Sequence, residues 1–590
     1  MHHKPGPTFP PLALALLLLA VFGAGAAGAA TALPVDVFPI PGSGVASPQT
    51  QIVFRGVRAS QIGTITVRGS ASGAHTGTIA ADSDGRGGSF LPATPFTPGE
   101  VVTVSTSLNV AGGSNGTFQF TIATPAGALP VRHWPVAART KGDVWQYHSR
   151  PDLTPPAVKL AKWSSKTAPG DIFLGPQYGP LQDGPMILGP GGGLIWFDPL
   201  PGDESASDFR VQVYRGQPVL SWWQGDMTGG LGVGEDVIYN SSYRQIAVVQ
   251  AANGLSADLH EFQLTPQGTA LITAYYPVYW NASSVHGSTR QIVLDSVVQE
   301  LDIRTGLLLF QWDSLDHVPL SATYEALPKA TTQNPFDYFH VNSVQQDFDG
   351  NFIISGRNTW AAYKVSSQTG AIIWQLGGKH SSFRLGSHAQ FAFQHDVMVQ
   401  ANNDQFVTIF DDGAGPPAVH TQSRAIKLRL DLKHATATLV ASLQHRVLSS
   451  FEGNEQQLPN FDDFVGWGEQ PYFSEYDPHG RLIFDAHFVD ANASYRAYRL
   501  PWSATPTTPP AIAYTGGRKP IVYASWNGAT DVTSWRVLGG ESTSAMRAVA
   551  TTRKTWFETY IPLRPLPSYI AVQALDKSGH VLATSPAVHT

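Results

Sequence analysis

Three histidines recur in similar surroundings along the 590-residue chain: Asp258-Leu-His260-Glu-Phe, Phe339-His340-Val-Asn342-Ser and Phe393-Gln394-His395-Asp396-Val. Each stands beside a short polar turn and an apolar strand. Imidazole serves as nucleophile, proton carrier or metal ligand near neutral pH. Asn342 lies two positions after His340, and strand alternation puts both on one face. Arg357 closes the strand Ile353-Ile-Ser-Gly-Arg357 and can return to the same rim. Three imidazoles, one amide and one guanidinium, with no carboxylate at these positions, make a cationic pocket suited to an oxyanion. A lone histidine is more often structural, and His75, His434, His479 and His589, in turns or tails, are read that way. For Arg357 the competing role is a packing salt bridge.

Positioning three imidazoles on one axis requires a repeated unit. Leu259-His-Glu-Phe-Gln-Leu-Thr-Pro-Gln-Gly268-Thr-Ala-Leu-Ile-Thr273 is two apolar strands around a turn, and His340 to Ser355 and Glu469 to Phe484 repeat the plan. A further element recurs as Val298 to Trp312 and Ala362 to Trp374, each with a Thr-Gly turn. Two hairpins per repeat make a four-stranded blade, and the region from Pro156 to Pro501 suits roughly six blades of an all-β propeller. The histidines then begin the inner strands of successive blades and face the central channel.

Smaller strand sets flank this region. Gln51–Arg55, Ile62–Val67, Glu100–Val104 and Thr117–Ile122 predict a β-sandwich of Ig-like type over residues 35–125. Beyond the Pro/Thr linker from Pro501 to Pro510, strands around Tyr523, Trp535, Tyr560 and Tyr569 predict a fibronectin III-like sandwich over 511–590. The propeller domain is expected over 130–500. A net charge of −6 without a Lys/Arg cluster gives no nucleic-acid footprint. His2, His3 and Lys4 precede the apolar run Leu12 to Phe22 and small residues up to Ala32, the layout of a secretory signal peptide over 1–32. Left uncleaved, it would be an N-terminal membrane anchor. The chain has no cysteine, which excludes thiol chemistry and disulfides. Sequons stand at Asn115, Asn240, Asn281 and Asn492.

The ordered set Asp258-Leu-His260-Glu-Phe, His340-Val-Asn342-Ser-Val, Ser355-Gly-Arg357-Asn-Thr, Gly370 to Gly378, Phe391-Ala-Phe-Gln-His395-Asp396 and Phe410-Asp-Asp-Gly-Ala-Gly415 through Arg424 resembles the PAPS-independent arylsulfotransferases. The resemblance covers about residues 130 to 500. It implies a six-bladed propeller that moves a sulfuryl group from a phenolic sulfate ester to another phenol through a sulfohistidine. By motif, His395 matches the sulfated histidine, His260 and His340 the flanking catalytic histidines, and Asn342 and Arg357 the sulfate-binding positions. No cofactor or metal is implied; the partners are small aryl sulfates and phenols. The chain departs from bacterial members in lacking their disulfide.

Other classes fit some of the same features. A quinoprotein-like propeller enzyme shares the Gly-x-x-x-Trp repeats but has an adjacent-cysteine pair. A non-catalytic extracellular scaffold would use the sandwiches for adhesion, and a metal hydrolase would use the three histidines as ligands.

Overall fold

The computed structural model describes residues 34–128, 137–329, 334–400, 403–415 and 417–590. The expected signal segment, residues 1–32, lies outside them, as does the start of the central region at residue 130. The described chain is all-β, as expected, and its one α-helix is the single turn Ser314–His317. Val, Ile, Thr and aromatic residues recur between Gly, Pro and Asp turns, which is the composition of short half-buried strands.

Six sheets follow one another through the central region. The first holds Asp171–Gln177, Met186–Leu188 and Leu194–Phe197, with Ala493–Leu500 added beside Asp171–Gln177. The second runs Ser205–Tyr214, Gln217–Thr228, Leu231–Tyr239 and Gln245–Val249; the third runs Phe262–Leu264, Ala270–Trp280, Gln291–Leu301 and Leu308–Asp313. The fourth is Val341–Gln346, Phe352–Gly356, Ala361–Val365 and Ile372–Gly377. The fifth begins at His395–Gln400 and Asn403–Asp411, and the sixth begins at Asn454–Gln457 and ends on Val158–Lys162. The ends of the region are therefore exchanged. Its last strand pairs into the first sheet, and its earliest strand pairs into the sixth.

Apolar side chains fill the joint between each sheet and the next. Phe173, Trp196, Phe209 and Trp222 join the first to the second. A larger core containing Trp223, Phe262, Trp312, Phe339 and Tyr363 spans the second to the fourth. Ile353 and Leu376 meet Val397 and Ile409, Phe410 meets Trp467, and Phe464 and Phe484 meet Ile172 and Leu174. Burial of this kind stabilises by roughly 25 cal/mol per Å² of apolar surface.

One guanidinium ties the inner strands together. Arg496, on the added strand of the first sheet, pairs with Asp208 of the second at 3.0 Å and with Glu261, beside the third, at 3.1 Å. It also donates to the Asn342 carbonyl of the fourth at 3.1 Å and stands 3.5 Å from Asp396 of the fifth. These residues come from five sheets, so five inner strands converge on one point. Glu261, Asn342 and Asp396 each sit within two residues of a site histidine.

The flanking regions have cores of their own. Two four-stranded sheets between Asp36 and Thr121 share Ile52, Phe54, Val67, Val102 and Phe120. The strand expected from Ile62 starts only at Thr66, because Ala59–Gln61 form a 3-10 turn ahead of it. At the other end, strands from Ala511 to His589 share Val522, Trp535, Ile561 and Val572. Both regions are bonded to the centre: Ser47 to the Asn253 carbonyl at 2.7 Å, and Ser149 to Glu558 at 2.6 Å. Of the sequon residues, Asn492 is fully buried, its amide donating to Asp490 at 2.7 Å, so that sequon is sealed from a modifying enzyme.

Candidate active site

His260 lies two residues before the first strand of the third sheet, His340 directly precedes that of the fourth, and His395 opens that of the fifth. The entries are sharply bent. His340, Phe393 and Asp396 take φ of 56°, 55° and 51°, the left-handed region that non-glycine residues adopt at a cost and only when their surroundings enforce it. The three imidazoles, with Arg357, line one cavity of about 530 Å³. The His260 and His340 rings stand 5.0 Å apart and nearly perpendicular, and Tyr495 lies 5.6 Å from His260 and 6.3 Å from His395.

Each imidazole is oriented by a carboxylate. His260 Nδ1 lies 2.5 Å from Asp258, His340 Nδ1 2.5 Å from Asp337 and His395 Nδ1 2.8 Å from Asp412. Asp258 is itself held by the Gly232 N–H at 2.6 Å and the Thr273 hydroxyl at 3.3 Å. The absence of carboxylates expected from the sequence is thus corrected. Asp258 was visible two residues before His260, whereas Asp337 lies three residues from its histidine and Asp412 directly follows the neighbouring strand Asn403–Asp411.

The tautomer of His395 follows from its other partner. Nε2 accepts the Glu452 N–H at 3.2 Å, and a backbone amide can only donate. Nε2 therefore carries the lone pair, and Nδ1 carries the proton toward Asp412. Burial, first, and then Arg357 and the two other histidines hold the His395 imidazolium well below the usual range. Burial lowers His340 too, against the opposing pull of Asp337. Both of these rings are neutral near pH 7, whereas the Arg357 guanidinium keeps its charge. Burial pushes the Asp412 carboxyl up, with Arg357 opposing it.

Arg357 does not end a strand but begins the 3-10 turn Arg357–Thr359. Its N–H donates to the His340 carbonyl at 3.0 Å, and its guanidinium donates to Asn358 at 2.8 Å and the Ser450 carbonyl at 3.0 Å while lying 4.9 Å over Phe393. It is a cation fixed in the cavity wall. Asn342 falls elsewhere. It is fully buried outside the cavity lining, and its amide donates to the Gln394 carbonyl at 2.7 Å. Strand alternation fails here because His340 lies in the left-handed region and the pairing slips between Val341 and Ser343. Asn342 joins the fourth sheet to the segment carrying His395, and its carbonyl takes the Tyr495 hydroxyl at 3.1 Å.

Glu452 has no local motif that marks it. It lines the cavity, takes a φ of 69°, and receives the Tyr178 hydroxyl at 2.7 Å and the Gln177 amide at 2.9 Å on Oε1. Burial raises its carboxyl to about 8, with Glu469 adding to the rise and Tyr178 and Gln177 opposing it. Among the described residues, no group of three or more His, Asp or Glu side chains is arranged to hold a metal ion.

No curated protein matches the chain. Among solved structures, a protein of unknown function from Bacteroides caccae is 11% identical, with 56% of this chain and 98% of that one covered at a TM-score of 0.35. An auxiliary nutrient binding protein from Bacteroides ovatus is 10% identical over 84% of this chain and 96% of its own, at 0.29. A catalytically inactive virginiamycin B lyase from Staphylococcus aureus, solved with quinupristin, is 9% identical over 62% and 92%, at 0.26. Residues 210–489 match the family model described as arylsulfotransferase (ASST), a span that contains His260, His340, Arg357, His395 and Glu452. Over that span the chain is similar to the arylsulfotransferase family.

Proposed function

We propose that the protein transfers a sulfuryl group from a phenolic sulfate ester to a phenolic acceptor through a sulfohistidine on His395, at one end of the axis of a closed six-bladed propeller. The observation that carries this reading is the meeting of three imidazoles and one fixed guanidinium at a single cavity inside the family-matched region. The exchange of end strands between the first and sixth sheets, and the convergence of inner strands on Arg496, support the propeller.

In the first half-reaction the Nε2 lone pair of His395 attacks sulfur. The N–S bond forms as the S–O(aryl) bond breaks, and the electron pair leaves on the phenol oxygen. Asp412 holds the Nδ1 proton and offsets the charge growing on the ring. The Glu452 N–H, freed from the lone pair once Nε2 bonds sulfur, becomes a donor to a sulfuryl oxygen, and Arg357 supplies the positive charge. His260 and His340, with Nδ1 fixed by Asp258 and Asp337, present Nε2 to the sulfuryl group or to the phenol. The second half-reaction reverses these steps with a new phenol.

In this reading the flanking regions are an Ig-like and a fibronectin III-like sandwich, and residues 1–32 direct export or, uncleaved, anchor the chain. No cofactor is needed and nucleic acid is no partner. The test is turnover of an aryl sulfate with a panel of phenols as acceptors. Sulfated acceptor is expected; release of phenol without acceptor sulfation, under all pairings, would overturn the proposal.

A further inference from the structure

The chemistry above leaves one proton unassigned. A phenol has a pKa of about 10, so the departing aryl oxygen gains from protonation and the acceptor must lose its proton. Of the three rings at hand, His340 and His395 are held neutral, and His395 is occupied as the nucleophile.

We propose that Glu452 is the proton carrier of the transfer, its Oε2 protonating the departing aryl oxygen and later taking the proton of the incoming phenol. This rests on the sulfotransfer reading. The geometry is that of a protonated carboxyl. Oε1 receives two donors, Tyr178 and Gln177, as a carbonyl oxygen does, whereas Oε2 is buried and has no hydrogen-bond partner. The residue's own N–H reaches His395 Nε2, so the acid and the nucleophile share one short stretch of cavity wall. Groups facing it are Tyr178 from the segment after Asp171–Gln177, His395 from the fifth sheet and Glu469 from the turn before Tyr472–Tyr476. Its elevated carboxyl is protonated at neutral pH, ready for the first step.

The step balances. The N–S bond forms, the S–O(aryl) bond breaks with its pair going to oxygen, and that oxygen takes the Oε2 proton. In return, the acceptor O–H gives its proton to the Glu452 carboxylate, the O–S bond forms and the N–S pair returns to Nε2.

The test is Glu452→Gln in the full chain, assayed by single-turnover formation of the His395 adduct from phenyl sulfate and from 4-nitrophenyl sulfate. Gln keeps the shape, the acceptor oxygen and the backbone N–H but carries no proton to give. A loss of about 10²–10⁴-fold is expected with phenyl sulfate, and a loss at least about tenfold smaller with 4-nitrophenyl sulfate, whose leaving group is less basic. Equal losses, or a parental rate with phenyl sulfate, would overturn the assignment alone. A parent that forms no adduct from either donor would overturn the sulfotransfer reading as well. Tyr178→Phe gives an independent check. Removing a donor that favours the carboxylate should move the alkaline limb of the rate profile to higher pH, and an unmoved limb counts against Glu452.

Discussion

The backbone N–H of Glu452 points at Nε2 of His395 across 3.2 Å. This single bond fixes which nitrogen of the buried ring carries the lone pair, and it makes Asp412 the acceptor of the other nitrogen's proton. The nucleophile is thus prepared by its neighbours and not by titration, because burial already keeps the ring uncharged.

Asp412→Ala should slow adduct formation on the order of 10²–10⁴-fold, since the ring loses both its orientation and the partner that offsets its charge. Asp412→Asn should recover part of this, because an amide oxygen can still accept the Nδ1 proton. Rapid-quench measurement of the adduct reads both variants.

Arg357→Lys should retain measurable turnover at a loss of roughly 10–100-fold. Lysine keeps a charge but cannot hold Asn358 and the Ser450 carbonyl at once with a planar fork. Steady-state kcat and KM for the donor would show it, and a fully active lysine variant would remove Arg357 from the site.

Arg496→Met should destabilise the fold by about 3–5 kcal/mol, because it leaves Asp208, Glu261 and Asp396 buried without their partner. Urea unfolding of parent and variant at one pH tests this.

Glu452 also makes a prediction about stability. Its carboxyl is raised from 4.5 to about 8, so the folded protein favours the protonated form. That contribution is fully present below the ordinary value and is lost as pH rises through about 8. The parent should therefore lose stability relative to Glu452→Gln between about pH 5 and about pH 9. A constant difference in urea midpoint across that interval would show that the carboxyl does not titrate there.

Much of the arrangement was legible from the chain. Asp-Gly and Thr-Gly turns between apolar runs marked the hairpins, and the position of a histidine before each run located His260, His340 and His395 at strand entries. Asn342 was misplaced because alternation holds only inside a regular strand, and the left-handed His340 and the slipped pairing precede it. The carboxylate Asp412, and Glu452 with its partners, were invisible for a different reason. Glu452 comes 57 positions after His395 and is brought to it by the packing of one sheet on the next, which no local spacing encodes. Arg496 is more remote still, and the exchange of end strands that places it beside Asp208, Glu261 and Asp396 leaves no periodic mark.

The most direct measurement is peptide mass spectrometry after the protein is mixed with 4-nitrophenyl sulfate and no acceptor, for the parent and for His395→Ala, His260→Ala and His340→Ala. A sulfuryl adduct on the peptide containing His395 is predicted for the parent and, in reduced amount, for the His260 and His340 variants, with none for His395→Ala. An adduct on His260 or His340, or sulfate transfer by His395→Ala at near the parental rate, would contradict the account.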